Sequence, residues 1–406
     1  MRYIINFSGD TMNEKSKTID FKKEKERLQK IRAEGKKSTK VIVAVIVLIT
    51  VLLGTYLLAV VREKPDLSDD TVYYTQGEEK GGFPVSFTSN DIISCEAFSS
   101  RIYVLTAKTL SAYKSNGENS FNVDFTFVDP AMTVSEKYGL VFDRGSSKYF
   151  VFNDKGLFYE GTTDGDRHII QAAVDSKGNC AFVTKSEDSS CRVSFVNKAG
   201  KLVYMWSCAE EYVVAVDISS DSKELLCGAV GAYNGDILTK VYKLDINSDE
   251  EAKSFSLVGS GCVDVSFYGM DKAIVTCLDK RVIFNFRTDD GSPVEVAYTT
   301  EAEFIYSDGN GYTAVVTEKI NSFDSVELSL YDKNNSVQFK AELPKDIIDV
   351  RVYGKNVFCL SRDSVIYLDS KGRIKKEVPC ESKGDGLVVL SSRAFYYTVG
   401  NLRTGF

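Results

Sequence analysis

From Phe83 to the C-terminus, short runs of alternating apolar and polar residues are separated by turns rich in Asp, Asn and Gly. Alternation with a period of two predicts half-buried β-strands, and these turn residues tolerate the positive φ angles of tight hairpins. Between Cys262 and Thr299 four such runs follow one another: CVDVSF, AIVTCL, RVIFNF and VEVAYT. The pattern therefore predicts a repeating unit of four antiparallel strands.

The turn before the last strand of each unit recurs at a nearly constant interval. The intervals are 39, 44, 48, 42, 45 and 37 residues, measured between Asn116, Lys155, Ala199, Asn247, Asp289, Asn334 and Lys371. Four strands and their turns occupy about 40–45 residues, which is the period of a propeller blade. The repeat predicts an all-β fold, an eight-bladed β-propeller, with seven blades as the alternative if the weak repeat AMTVSEKYGLVFDRG at 131–145 is not a blade.

The two ends of the repeat region predict how the ring closes. After Val378 the chain has three further β-runs, GLVVLSS, AFYYTVG and NLRTGF, and lacks a fourth. One unassigned β-run, FPVSFT at Phe83–Thr88, precedes the first complete unit. We expect this N-terminal run to complete the last blade, because an open ring would expose the edges of its strands.

A different pattern occupies Val41–Val61, which has 21 residues and no charge. This length gives about 31 Å of helix, enough to cross the hydrocarbon core of a lipid bilayer. The 20 residues before it carry nine Lys and Arg and the 20 after it carry three, so the N-terminus is expected in the cytoplasm. A cleaved signal peptide is the alternative, but its lead would be shorter and small residues would precede its cleavage site.

These patterns divide the chain into four parts. We predict a basic cytoplasmic segment at 1–40, a transmembrane helix at 41–61, a polar linker at 62–82 and an extracytoplasmic propeller at 83–406. The expected localisation is the cell membrane, with a single pass through the lipid bilayer.

Several short motifs carry a resemblance to a known family. They are the apolar segment at Val41–Val61, FPVSF at Phe83–Phe87, RIYVLT at Arg101–Thr106 and the repeated D-x-x-G turns. In these features the chain resembles the membrane-anchored propeller family of unknown function numbered 5711, found in Gram-positive bacteria, and its repeat is similar to that of PQQ-type propellers. The resemblance implies an architecture and no activity. Quinone-binding propellers have a Trp after each turn, whereas Trp206 is the single Trp here, so we expect no cofactor.

The composition of the chain argues against several classes of partner and site. The 345 residues after Val61 hold 38 Lys and Arg against 51 Asp and Glu, which argues against nucleic acid as a partner. The chain has one His, no C-x-x-C and no nucleotide-binding or hydrolase motif, so we expect neither a metal site nor catalytic residues. Its nine Cys form an odd set in which Cys180 and Cys191, flanking one predicted hairpin, could pair as a disulfide.

The candidate binding residues lie in connections that propellers commonly use for ligands, namely those between outer and inner strands and those between second and third strands. They are Asp164, Asp166, Arg167, His168, Tyr233, Asn234, Asp236, Phe323 and Asp324. Tyr233 and Phe323 would either be exposed anchors in the long loops 229–237 and 317–325 or pack against neighbouring blades. These features predict a binding or scaffold module for a cell-envelope protein or glycan. A carbohydrate-active surface enzyme with paired carboxylates is the alternative.

Overall fold

The structure is a computed structural model that describes residues 72–77, 81–87, 91–248, 251–269, 271–287 and 293–406. Within these residues the chain forms 33 β-strands in eight antiparallel sheets. The predictions for the basic segment and for the helix at Val41–Val61 lie outside the described residues. No helix in the described part of the chain has the length and hydrophobicity needed to cross a membrane.

Two short strands precede the repeats, β1 (Val72–Gln76) and β2 (Val85–Ser86). Blade 1 contains β3 (Ile92–Phe98), β4 (Arg101–Thr106), β5 (Thr109–Lys114) and β6 (Asn119–Phe125), and blade 2 contains β7 (Pro130–Val134), β8 (Tyr138–Asp143), β9 (Lys148–Asn153) and β10 (Gly156–Thr162). A single 3-10 turn (Asp164–Asp166) leads to blade 3, which contains β11 (Ile169–Val174), β12 (Cys180–Thr184), β13 (Cys191–Val196) and β14 (Leu202–Cys208). Blade 4 contains β15 (Tyr212–Ile218), β16 (Glu224–Tyr233), β17 (Asp236–Asp245) and β18 (Lys253–Val258).

Blade 5 contains β19 (Cys262–Tyr268), β20 (Lys272–Cys277), β21 (Lys280–Asn285) and β22 (Val294–Ala297), and blade 6 contains β23 (Ala302–Ser307), β24 (Thr313–Glu318), β25 (Ser325–Tyr331) and β26 (Val337–Pro344). Blade 7 contains β27 (Ile347–Tyr353), β28 (Asn356–Ser361), β29 (Ser364–Leu368) and β30 (Ile374–Pro379). Blade 8 begins with β31 (Gly386–Leu390), β32 (Arg393–Thr398) and β33 (Asn401–Thr404). The weak repeat at 131–145 therefore forms two strands of a complete blade, and the count of eight is confirmed.

The last blade is closed by the N-terminal strand, as the sequence predicts. Its sheet has the order β2-β33-β32-β31, with Val85 opposite Leu402. The Phe87 N–H donates to the Gly400 carbonyl at 2.8 Å, which continues the pairing beyond β2. Phe83 and Val85 pack in one apolar cluster with blade 8 and blade 1. The ring is thus closed by backbone pairing between residues more than 300 positions apart.

Part of the predicted linker at 62–82 is not a linker. Val72–Gln76 forms β1, which pairs antiparallel with β6 and makes blade 1 a five-stranded sheet. Tyr74 lies 5.7 Å from the ring of Phe121, measured between ring centroids. The linker prediction is wrong here because β6 has an open outer edge, and the β-favouring residues VYYT can pair with it.

The core lies between the faces of neighbouring blades. Buried residues of adjacent blades share common clusters, for example Tyr103 of blade 1 with Phe150 and Phe152 of blade 2. The first strand of a blade is its innermost strand, and inner strands of neighbouring blades contact one another near the axis, for example β15 with β19 and β3 with β31. Each blade therefore buries both of its faces, which explains why strands such as β4, β12 and β20 are apolar at nearly every position.

One end of the ring has a recurring backbone irregularity. The strands of a blade alternate in direction, so inner strands start and outer strands end at the face that also carries the turns between second and third strands. The Leu278 N–H, in such a turn, donates to the Gly261 carbonyl in the connection before β19 at 3.2 Å. Six of the eight inner strands have a β-bulge at this end. We call it the bulge face, after the bulged residues Ile93, Ile170, Val214, Val263, Glu303 and Ile348.

Candidate functional site

The bulges arrange apolar side chains around the axis of the propeller. A bulge inserts one unpaired residue, so its side chain departs from the alternation of the strand on either side. Four of the six bulged residues are apolar and exposed, by 37–43%, whereas the residue that precedes each of them in its strand is buried. These four are Ile93, Ile170, Val214 and Val263. The inner ends of the blades thus present a partial ring of Ile and Val to solvent.

Other exposed apolar residues concentrate on the same face. Of 23 exposed large apolar side chains in the described residues, 13 lie on the bulge face, and most of the others lie along outer strands. The nine besides the four bulged residues are Val128, Tyr212, Tyr233, Ile237, Val258, Leu278, Ile320, Phe323 and Val399. Isolated exposed apolar residues are ordinary, but their accumulation on one face marks an interaction surface.

A hairpin projects from this face in blade 4. The region 229–237, which we predicted to be a loop, is the paired end of β16 and β17, with Tyr233 opposite Asp236. Asn234 and Gly235 have φ angles of +52° and +92°, as a two-residue hairpin turn requires. The hairpin extends three residues past Val230, which pairs with the start of β15, and so projects by about 10 Å. Tyr233 at its tip is 56% exposed.

Blade 6 contributes the second projecting aromatic side chain. Phe323 lies in the turn between β24 and β25 and is 90% exposed. The Asp324 carbonyl accepts a hydrogen bond from the Lys345 N–H at 3.1 Å, which fixes the base of this turn against the connection to blade 7. Of the two possibilities left open by the sequence, exposure or packing against a neighbouring blade, the structure has both Tyr233 and Phe323 exposed.

The two acidic candidates near His168 each contact a neighbouring residue. Asp166 accepts a hydrogen bond from the Ser147 hydroxyl, and Arg167 donates to the Asp164 carbonyl at 3.0 Å and lies 3.5 Å from its carboxylate. The His168 side chain is exposed, and its backbone carbonyl accepts from the Lys185 N–H. Across the described ranges, no three His, Cys, Asp or Glu side chains form a group suited to a metal ion.

Sequence reasoning missed a charged cluster on the inner strands. The Arg351 guanidinium lies 3.4 Å from the carboxylate of Asp349, 3.9 Å from that of Glu96 and 4.7 Å from the ring centroid of Tyr306. Its Nε–H donates to the Leu387 carbonyl at 2.9 Å. Burial raises the pKa of both carboxyls, and the charge of Arg351 opposes this rise. The Arg351 side chain lies between Asp349 and Glu96. A catalytic pair of carboxylates in a glycosidase needs that space for the glycosidic bond.

The disulfide between Cys180 and Cys191 that the sequence left possible does not form, because the strand register separates the two residues. Cys180 lies opposite Val196, at the other end of the β12–β13 pair from Cys191. Cys191 instead lies opposite Cys208 of β14. All nine cysteines are free thiols, and eight of them are buried.

The sequence of the chain matches one known protein family. The model of a family described as "Family of unknown function (DUF5711)" matches residues 74–404. No curated protein sequence matches the chain.

Several solved structures are similar at low sequence identity. BamB from Moraxella catarrhalis has a TM-score of 0.50 and 9% identity, covering 82% of this chain and 100% of that one. Sqt1 of Saccharomyces cerevisiae has a TM-score of 0.53 and 10% identity, covering 80% of this chain and 100% of that one. The Dos1 propeller has a TM-score of 0.54 and 10% identity, covering 80% of this chain and 94% of that one. At these identities the similarity shows the propeller fold alone.

Proposed function

The chain belongs to the family of unknown function DUF5711, and because this membership brings no activity with it, we propose from the site itself that the protein is a binding module. Its propeller captures a protein partner on the bulge face. The observation that carries the proposal is the accumulation of exposed apolar side chains there, with Tyr233 at the tip of the blade 4 hairpin and Phe323 90% exposed. Aromatic side chains that enter a pocket of the partner supply much of the binding energy in protein interfaces.

The charges beside the apolar residues define the kind of partner. Exposed acids occupy the same connections, among them Asp164, Glu187, Glu210 and Asp324. A partner surface with apolar side chains surrounded by Lys or Arg would complement this face in both polarity and charge. Tyr233 and Phe323 lie on the same face in blades 4 and 6, and the proposed partner surface spans both blades.

We also propose that the propeller is held at the outer surface of a membrane by Val41–Val61. The support is the uncharged stretch of 21 residues and the excess of Lys and Arg before it. Protease added to intact cells after removal of the wall should then digest the propeller and spare residues 1–40. Protection of the propeller would contradict the orientation.

The binding proposal is tested by capture from solubilised membranes with the tagged full-length protein. Tyr233→Ser and Phe323→Ser should each reduce the yield of the same captured protein, and the double variant should reduce it at least tenfold, because two anchors are removed. Tyr353→Ser is the matched control, since Tyr353 ends β27 at the opposite face and is 48% exposed. Equal loss from the control and the double variant, or no loss from either, would contradict the assignment of the bulge face.

A further inference from the structure

Two cysteines of blade 3 have the spacing of a disulfide without being joined. Cys191 begins β13, Cys208 ends β14, and the two are direct partners in the antiparallel register. Such partners have Cα atoms about 4.5 or 5.5 Å apart, and disulfides join Cα atoms about 4.4–6.8 Å apart. Both side chains are buried in the same cluster between blades 3 and 4. A bond between them therefore needs only a small movement of the side chains.

The surroundings of the two thiols differ in a way that assigns them separate roles. The Val213 N–H donates to Cys191 Sγ at 3.3 Å, and the Cys208 thiol donates toward Glu211 Oε2 at 3.7 Å. The contact with Cys208 and the hydrogen bond from the Val213 N–H lower the pKa of the Cys191 thiol, whereas the contact with Cys191, together with burial, raises the pKa of Cys208. Cys191 is thus the thiol that is more easily converted to a thiolate, which is the reactive form.

Glu211 supplies a proton acceptor beside the pair. Its carboxylate accepts a hydrogen bond from the Tyr242 hydroxyl at 2.6 Å and forms an ion pair with Lys240 Nζ at 3.4 Å. Burial raises the pKa of Glu211, but the hydrogen bond from Tyr242 and the charge of Lys240 outweigh burial and hold it below its ordinary value. An ionised carboxylate therefore faces the Cys208 thiol.

A second pair of opposite cysteines lacks these features. Cys262 and Cys277 are register partners in β19 and β20, but the Cys262 thiol donates to the Asp264 carbonyl of its own strand at 3.8 Å. Burial raises the pKa of both thiols, that of Cys277 to about 12. This pair serves as an internal control because it shares the register and lacks an activated thiol.

We propose that Cys191 and Cys208 are the site of a reversible intrachain disulfide, formed by exchange with a small-molecule or protein disulfide. The Cys191 thiolate attacks one sulfur of the oxidant, which breaks the oxidant's S–S bond and releases its first thiol. Cys208 passes its proton to Glu211 and attacks the Cys191 sulfur, and the departing sulfur takes that proton from Glu211 and leaves as the second thiol. The two cysteines lose two protons and two electrons, and the oxidant gains them as two thiols. This site is independent of the partner and of the membrane proposal.

Access for the oxidant comes through the edge of the blade. β14 is the outermost strand of blade 3 and pairs only with β13. Cys208 is its last residue, and Leu202, Val203 and Met205 earlier in the strand are exposed. Ends of edge strands open locally at a small fraction of the free energy of global unfolding, so opening of this end would admit a disulfide without unfolding the ring.

The test exposes the reduced full-length protein to oxidised glutathione under native conditions. Remaining thiols are blocked with N-ethylmaleimide in denaturant, and peptide mapping by mass spectrometry counts and locates them. The nine free thiols should fall to seven, with a linked peptide pair that contains Cys191 and Cys208 and is cleaved by dithiothreitol. Cys208→Ala should instead retain glutathione on Cys191, because no second thiol displaces it, and Cys262→Ala should leave the reaction unchanged.

Peptide mapping of the wild-type protein tests the proposal without any substitution, so its result remains valid even if a variant folds poorly. Circular dichroism recorded during oxidation follows the β-structure. Nine thiols that stay free while the same oxidant modifies the denatured chain would overturn the proposal. So would linkage of Cys262 to Cys277 at an equal rate, or oxidation that occurs only as the β-signal is lost.

Discussion

Closure of the ring by the N-terminal strand makes a quantitative prediction about stability. Val85 is 7% exposed, the rings of Phe83 and Phe395 are 5.3 Å apart, and Phe87 lies 6.0 Å from the ring of Tyr113 in blade 1. The three residues thus connect blade 8 to blade 1. We consider the full-length protein in which Phe83, Val85 and Phe87 are all replaced by Ala.

The expected loss follows from the burial of each side chain. A fully buried Phe contributes about 3–5 kcal/mol relative to Ala, and Phe83 and Phe87 are half-buried, so each should contribute about 2 kcal/mol. Val85 adds about 1–2 kcal/mol, for a total of about 5–6 kcal/mol. An unfolding entropy of about 2.1 cal/mol/K per residue gives roughly 0.7 kcal/mol/K for about 330 residues. The triple variant should therefore melt about 7–9 °C below the wild type.

The assay is thermal unfolding followed by circular dichroism in one detergent buffer. The control is the double variant Tyr233→Ala and Phe323→Ala, which also removes aromatic side chains but from exposed positions and should shift the melting temperature by less than about 2 °C. If the triple variant melts with the control, the strand contributes no closure. The reasoning that an open ring is unstable would then be refuted.

Two further predictions concern buried charges. Arg281 is fully buried and donates to the Asp332 carbonyl at 2.5 Å and to Asn335 Oδ1 at 2.7 Å. Arg281→Met should remove the charged donor from both oxygens, leaving the Asp332 carbonyl with the Asn335 N–H, and should lose roughly 3 kcal/mol, or about 4 °C in the same melts. An unchanged melting temperature would show that the joint between blades 5 and 6 does not depend on this cation. Burial raises the pKa of Asp217 to about 6, above its value in the unfolded chain, so its contribution is most favourable at low pH and declines as the pH rises from about 4 to about 6. The free energy of unfolding in urea should therefore rise for Asp217→Asn relative to the wild type by roughly 2–3 kcal/mol between pH 4 and pH 7. A difference between the two proteins that does not vary with pH would contradict the raised pKa.

The sequence by itself determined the architecture because the propeller repeats a local pattern. The alternating runs, with the turn residues between them, predicted the blades in order. The last repeat has three strands instead of four, which predicted that Phe83–Thr88 supplies the fourth and closes the ring. The Asn234–Gly235 dipeptide was also a local signal for a hairpin, since both residues tolerate positive φ. The interpretation of 229–237 as a loop overlooked that signal.

Strand register and the approach of distant residues were decided only by the tertiary structure. The bulges expose Ile93 and Val263, yet these residues read as ordinary strand positions because a bulge is defined by pairing with the next strand. The strand register likewise places Cys191 opposite Cys208 and away from Cys180. Register cannot be predicted from the spacing of cysteines in the sequence alone.

Ring closure and strand edges explain the remaining differences. Closure brings Glu96 of blade 1 beside Arg351 of blade 7, across the composite blade that the two ends of the chain build together. The added strand has a separate cause: β6, like the outermost strand of any blade, has an outer edge open to pairing, and Val72–Gln76 pairs with it. A repeating sequence specifies each blade through local hydrophobic alternation, whereas contacts between blades depend on where the closed ring places residues that are far apart in the chain.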